Sequence, residues 1–205
     1  FDTALHDDHD LIIEKVLDQY QIDQKWKTVT QNMIRNVVSA DIPRLNLGEV
    51  KEDEQLREME FHFKSQQPSL DNILKIIRSE GGEQHASNND LQSFLTGFID
   101  LIVRQNGKYF IVDYKSNYLG DTLEEYGQER LKEEIYNASY DLQYHLYTVA
   151  LVKYLKSRIK EFSYETDFGG VAYLFVRGMR KGKENGVWFH KPDEVVMERL
   201  MNELE

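Results

Sequence analysis

The chain has 205 residues, no cysteine and a formal net charge of −11. That length allows one sizeable core and does not require two full domains. The lack of cysteine excludes disulfides, thiolate zinc sites and iron–sulfur ligation and fits a reducing cytoplasm, while the acidic balance excludes a domain that grips nucleic acid through its overall field.

From Thr3 to about Tyr20, Leu5, Ile12, Ile13, Val16, Leu17 and Tyr20 recur at helical spacing, with Asp2 or Thr3 available as N-cap. A second helix is expected from Trp26 to Ser39, and Pro43 closes that region. Leu56, Met59, Phe61 and Phe63 set against Arg57, Glu58, Glu60 and His62 read as a strand. Residues 69–78 read as a short helix, and residues 81–90, polar with two glycines, as a loop.

Next comes Gly97-Phe-Ile-Asp-Leu-Ile-Val-Arg-Gln-Asn-Gly-Lys-Tyr-Phe-Ile-Val-Asp-Tyr-Lys115, two apolar runs around Asn106-Gly107. Asn-Gly signals a two-residue type I′ hairpin, because both central residues must accept positive φ. If Gln105 faces Lys108, Asp100 falls opposite Asp113 at a non-hydrogen-bonded position, where Cα atoms approach to about 4.5 Å and like charges destabilise a sheet. Lys115 shares that face, and Ile99, Leu101, Val103, Phe110 and Val112 are expected on the other. Two carboxylates and an ammonium on one side of an apolar hairpin suggest a cation site.

Two helical segments follow, at about 123–137 and 141–159. In the second, Leu142, Leu146, Val149, Ala150 and Leu155 give a core face beside a stripe of Gln143, Tyr147, Ala150 and Tyr154. Residues 168–176, with Gly169-Gly170, read as a strand, and Pro192 is placed to open a terminal helix with Val195, Val196, Leu200 and Leu204 inward. Between them, Arg177-Gly-Met-Arg180-Lys181-Gly-Lys183 is a Gly-spaced basic loop, either a solvated turn or a phosphate contact. The order of elements gives a mixed α/β domain with a small sheet covered by helices. No apolar run nears the ~18 to 20 residues that span a bilayer, and the N-terminus lacks a signal pattern, so a soluble protein without membrane contact is expected. The start at Phe1 suggests a fragment of a longer chain.

Asp100 followed on the next strand by Asp113-Tyr114-Lys115 resembles the core of the PD-(D/E)xK nucleases. The resemblance extends in order through Glu58-Met-Glu-Phe61, Gly97-Phe-Ile-Asp100, Asp113-Tyr-Lys-Ser-Asn117, Tyr140-Asp-Leu-Gln-Tyr-His-Leu-Tyr147 and Phe168-Gly-Gly-Val-Ala-Tyr-Leu-Phe-Val-Arg-Gly178. Together these segments are similar to the C-terminal nuclease domain of the RecB family, helicase–nuclease subunits of exodeoxyribonuclease V. The resemblance implies a restriction-endonuclease-like core with a small central mixed sheet at 55–178, an N-terminal helical elaboration at 1–54, and a basic loop and C-terminal helix at 179–205, all within one domain.

It also implies that His6, Asp100, Asp113 and the main-chain carbonyl of Tyr114 are metal ligands, that Lys115 is the catalytic lysine, that Gln143 and Tyr147 form a Gln-X-X-X-Tyr motif, and that Glu58 is an acidic residue near the site. Where the family usually has Gly-Thr before the first histidine motif, this chain has Asp2-Thr3-Ala4-Leu5-His6. Oxygen ligands suit Mg²⁺, and an imidazole admits Mn²⁺. The function so implied is a metal-dependent DNA exonuclease within a helicase–nuclease that processes double-strand breaks for recombinational repair. Its partners would be single DNA strands, RecC-like and RecD-like subunits and a RecA-like recombinase. ATP would act through a helicase region outside this chain, which has no Gly-X-X-X-X-Gly-Lys-Ser/Thr loop.

Each residue also has a plainer reading. Asp100 and Asp113 suit a solvated sheet face neutralised by Lys115, His6 a polar helix face, Gln143 and Tyr147 a helix boundary, and Glu58 an outward strand position. A recombinase-loading or subunit-interaction module on a nuclease-like fold, and another stand-alone PD-(D/E)xK endonuclease, are the competing functions.

Overall fold

A computed structural model of the chain describes residues 9–63, 69–79 and 95–204. Five strands form one sheet in sequence order: β1 (Gln55–His62), β2 (Thr96–Gln105), β3 (Lys108–Lys115), β4 (Phe168–Phe175) and β5 (Val187–His190). Neighbours are antiparallel except β3 and β4, which run parallel. Around the sheet lie α1 (His9–Gln19), α2 (Lys27–Val38), α3 (Leu70–Arg78), α4 (Gln128–Asn137), α5 (Tyr140–Arg158), the single turn α6 (Tyr164–Asp167) and α7 (Glu194–Glu203). A parallel pair requires a crossover, and α4 to α6 supply it. The mixed α/β class expected from the order of elements is what forms.

Asn106 and Gly107 both have positive φ, at 51° and 77°, as a type I′ turn demands. The register runs as the turn dictates, from Gln105 opposite Lys108 to Leu101 opposite Val112. β4 is buried at all eight positions because both faces are covered, so it reads as a continuous apolar run with its two glycines inside the strand. On one face Ile102, Ile111, Val171, Tyr173 and Phe175 pack with residues of α3, α4, α5 and α7. On the other, Leu101, Val103, Phe110, Val112, Ala172 and Leu174 pack with the end of α2 and the segment after it, from Val37 to Val50.

Ile99 does not join Leu101 and Val103 as expected; it packs on the helical face with Ile102, Met59 and Phe61. The pleat therefore changes phase between Ile99 and Leu101. In β1 the pairing skips one residue, Glu58, between Arg57 opposite Leu101 and Met59 opposite Ile99. Glu58 has φ 51°, a left-handed conformation that a residue with a Cβ adopts only under constraint. The odd spacing from Leu56 to Met59 in the apolar pattern of β1 is the sequence trace of this kink.

The terminal helix also departs from expectation. Its cap is Asp193, whose carboxylate accepts the N–H groups of Val195 and Val196 at 2.9 and 3.4 Å, rather than Pro192 opening the first turn. With that start, Val196, Met197, Leu200 and Leu204 share the buried stripe and Val195 is 61% exposed. β5 lies between the basic loop and the terminal helix, where the sequence predicts no strand; four residues are too few to show a period, and pairing with β4 supplies their structure. The segment 123–137 divides at Gly127 into a 3₁₀ turn and α4. α1 is described from His9, so the earlier part of the expected helix lies outside the described residues, as does the expected loop at 81–90.

Candidate active site

Asp113 and Lys115 lie at the end of β3, in register with Tyr173 and Phe175 of β4, and the Lys115 side chain reaches Gln143 of α5. Alternation puts them on one face of the strand, and the helical layer buries both: Asp113 is 3% exposed and Lys115 9%. Lys115 Nζ lies 2.7 Å from Asp113 Oδ1 and donates to Gln143 Oε1 at 2.9 Å. Gln143 Nε2 donates to the Tyr147 hydroxyl at 3.0 Å, one helical turn away, and the Tyr173 hydroxyl donates to Gln143 Oε1 at 2.7 Å. The ammonium also sits 4.0 Å from the ring centre of Tyr140 and 4.6 Å from that of Tyr173. Carboxylate, amide oxygen and two π faces thus surround one cation.

Burial pushes the Asp113 carboxyl up to about 6; the attraction of Lys115 opposes this, and the Asp100 charge adds to it. Burial, and next the Asp113 charge, also push up the phenols of Tyr147 and Tyr173, which stay neutral.

Asp100 is exposed, and its Oδ2 accepts the Tyr114 N–H at 3.1 Å. The backbone ladder between β2 and β3 stops one pair short of Asp100 and Asp113, and the carboxylate takes over a main-chain donor there. The Asp100 charge bears on Asp113 and Tyr114, so both acids and the Tyr114 main chain converge on one spot. Glu58 stands opposite Asp100 by register, on the kinked residue of β1, and is exposed. Among the described residues no three His, Cys, Asp or Glu side chains gather as a metal-binding group, so Glu58 does not complete one with the two aspartates. His6 lies outside the described residues.

The donor set fits a hard cation. Two carboxylates held close enough to repel, with main-chain oxygen nearby and no thiolate anywhere in the chain, suit Mg²⁺, Mn²⁺ or Ca²⁺ rather than a soft metal.

Sequence reasoning missed Tyr140, Tyr173 and the pair Asn117 and Glu134. Tyr140 donates to Asn117 Oδ1 at 3.2 Å, and Asn117 Nδ2 donates to Glu134 Oε1 at 2.8 Å, tying the end of β3 to α4. Tyr140 could have been found from its i, i+3, i+7 spacing with Gln143 and Tyr147. Tyr173 carries no local signal, because only the parallel pairing brings it beside Asp113.

The chain is 34% identical over 195 residues to the RecBCD enzyme subunit RecB of Haemophilus influenzae, covering 92% of this chain and 16% of that protein. It is 33% identical over 190 residues to the Escherichia coli subunit of the same name, covering 89% and 16%, and 43% identical over 99 residues to that of Mycobacterium tuberculosis, covering 48% and 9%. The chain therefore spans about one-sixth of the length of the first two relatives. The family model of the PD-(D/E)XK nuclease superfamily matches residues 4–205, essentially the whole chain, and this protein belongs to that superfamily.

Proposed function

We propose that these 205 residues are one nuclease domain of a longer helicase–nuclease chain, hydrolysing DNA phosphodiester bonds exonucleolytically with Mg²⁺ during double-strand break processing. The observation that carries this reading is the buried Asp113–Lys115 pair, held by Gln143 and both tyrosine rings, beside an exposed Asp100 that shares its field. Asp100, Asp113, the Tyr114 carbonyl and His6 would hold the cation. When bound, the metal supplies Lewis acidity at the scissile phosphate and acidifies an attacking water.

The chain's own residues do the rest. Lys115 presents a fixed positive charge toward the phosphate oxygens on which charge develops, an interaction strongest where water is excluded. Gln143 holds that ammonium in place, and Tyr147 holds Gln143. Glu58, on the strained kink opposite Asp100, fixes the local path of β1 against the site.

In this reading the substrate is a strand delivered from unwound duplex, ATP is used elsewhere in the parent chain, and RecC-like and RecD-like subunits and a RecA-like recombinase are the partners. Its support is the RecBCD name carried by the relatives. No described helix is long and apolar enough to cross a membrane. The test is cleavage of a labelled DNA strand with Mg²⁺. The wild type cleaves, a chelator stops it, and Asp113→Ala is silent; cleavage that survives either change overturns the site.

A specific observation favours a second role in subunit docking. Leu11, Ile12, Val16, Tyr20, Trp26 and Val29, on α1, α2 and their link, are exposed apolar side chains, and concentrated exposed apolar surface marks interaction sites. Partner binding retained by Asp113→Ala and lost in Ile12→Glu/Val16→Glu would separate this role from cleavage.

A further inference from the structure

Lys115 carries its charge on a flexible four-carbon stem, so the place of that charge depends on what surrounds the ammonium. Asp113 and Gln143 engage two of its three N–H groups, and the Tyr140 ring, 4.0 Å from Nζ, limits where the third can point. Tyr140 in turn opens α5, and that helix end does little to hold it. Ser139, at the N-cap, has left-handed backbone with φ 56° and makes no side-chain cap bond, while first-turn N–H groups have no partner within a helix.

The hold on Tyr140 comes from another helix. Its hydroxyl donates to Asn117 Oδ1 at 3.2 Å, and Asn117 Nδ2 donates to Glu134 Oε1 of α4 at 2.8 Å. A carboxylate only accepts, so Glu134 takes the nitrogen of the Asn117 amide; the amide oxygen then faces Tyr140, and the phenol must donate. Each link has one polarity. Glu134 itself stands on a fixed base: Leu131 and Ile135 of α4 are fully buried, and Gln128 Nε2 fastens the start of that helix to the Glu184 and Val187 carbonyls at 3.2 and 2.9 Å. Asn117 lies two residues beyond Lys115, where β3 has ended. The basic loop leaving β4 grips the same stretch from the other side, with Val176 N–H on the Lys115 carbonyl at 3.0 Å and Arg177 Nε on the Ser116 carbonyl at 2.8 Å.

We infer that Glu134 and Asn117 are positioning residues for Lys115, acting through the Tyr140 phenol to fix the ring against which the ammonium rests. By this relay α4 bears on a charge to which neither residue hydrogen-bonds. Charge stabilisation at a reacting centre is steep in position, so a ring free to swing would cost rate without costing substrate affinity.

The inference rests on the nuclease reading for its kinetics but not for its spectroscopy, and the experiment reads both. In the intact protein in EDTA, with the lysine methylenes isotope-labelled, the NMR signal that disappears in Lys115→Met identifies Lys115. The Tyr140 and Tyr173 rings are expected to hold that signal upfield of an ordinary lysine. Glu134→Ala and Tyr140→Phe, which break the relay but keep the ring, should each move it back toward the ordinary position. Glu134→Gln, which keeps an acceptor for Asn117, should leave it in place. In Mg²⁺-dependent cleavage, Glu134→Ala and Tyr140→Phe are each expected to lower kcat by about three- to tenfold at unchanged KM, the size of one lost hydrogen bond. The double variant should lose no more than either single one, Glu134→Gln should cleave as the wild type does, and neither loss should add to that of Lys115→Met.

A Lys115 signal that stays in place in Glu134→Ala, losses that add in the double variant or persist in the Lys115→Met background, or a rise in KM with kcat held would overturn the relay. A wild type that does not cleave while the signal responds as expected retires the nuclease reading and leaves the relay. Cleavage with an unresponsive signal retires only the relay.

Discussion

The two aspartates of the candidate site are held in opposite ways. Asp113 is buried, paired with Lys115 and enclosed by a network in which Gln143, Tyr147 and Tyr173 satisfy one another. Asp100 is exposed on a strand that changes phase at that point, opposite a residue with left-handed backbone, and its one described hydrogen bond is to the Tyr114 N–H. The first half is preorganised and expensive to disturb, since a buried network missing one member leaves the others unpaired in low dielectric. The second half has room to reorient, as a cation that keeps several waters requires. Binding adjustment and charge placement are thus divided between neighbouring strands.

The largest expected effect tests the buried half. Lys115→Met removes the cation from Asp113, and kcat is expected to fall by about 10² to 10³, the scale of losing one aligned electrostatic donor. The same change leaves a buried carboxylate unpaired, which destabilises by about 3 kcal/mol or more if it stays charged. Urea unfolding of Lys115→Met at about pH 7.5 and about pH 5 checks this, with the deficit smaller at the lower pH, where Asp113 is protonated. An equal deficit at both would show that the pair is not electrostatically coupled.

A second test uses the wild type and pH. The Asp113 carboxyl titrates near 6 when folded and near 3.8 when unfolded, so between these values the folded state holds more protons. Its contribution to stability is fully present below about pH 4, is lost as pH rises to about 6, and is flat above, at most a few kcal/mol in all. Thermal melts in EDTA should show this decline, and saturating Mg²⁺ should flatten or reverse it by favouring the ionised carboxylate. A metal-independent profile would separate Asp113 from cation binding.

Smaller effects are expected on the exposed half. Glu58→Gly relieves the left-handed strain and should raise stability by about 1 kcal/mol, whereas Glu58→Val should lower it by a similar amount, both read by chemical denaturation. If Glu58→Gly also loses cleavage, the side chain rather than the kink is what the site uses. The smallest is Tyr173→Phe, which keeps the ring over Lys115 but drops the hydroxyl bond to Gln143. A loss of about 0.5 to 1.5 kcal/mol is expected from one neutral hydrogen bond, read in kcat with KM held; a shift in KM alone would place Tyr173 in substrate binding.

Much of this arrangement was legible in the sequence because its signals are local. The Asn-Gly turn permits one register, and that register aligns Leu101 to Gln105 with Lys108 to Val112 as expected. The i, i+4 spacing of Gln143 and Tyr147 put both on one helix face, and their hydroxyl–amide bond forms there. Two features escaped. The phase change at Ile99 was hidden because alternation was assumed to run unbroken, although the Leu56-to-Met59 spacing already departs from a period of two. β5 escaped because its four residues have no pattern apart from the strand they pair with.

By itself the sequence determined the hairpin, the mixed α/β class and the neighbourhood of Asp100, Asp113 and Lys115, since turn chemistry and side-chain period act over a few residues. The tertiary structure alone decided that Asp113 is buried and Asp100 is not, that Tyr140 and Tyr173 close over the ammonium, and that the basic loop emerges beside the site. Those facts depend on a parallel pairing between strands more than fifty residues apart, with α4 to α6 between them. No window of the chain contains that contact, and the burial, field and strand path at the site all follow from it.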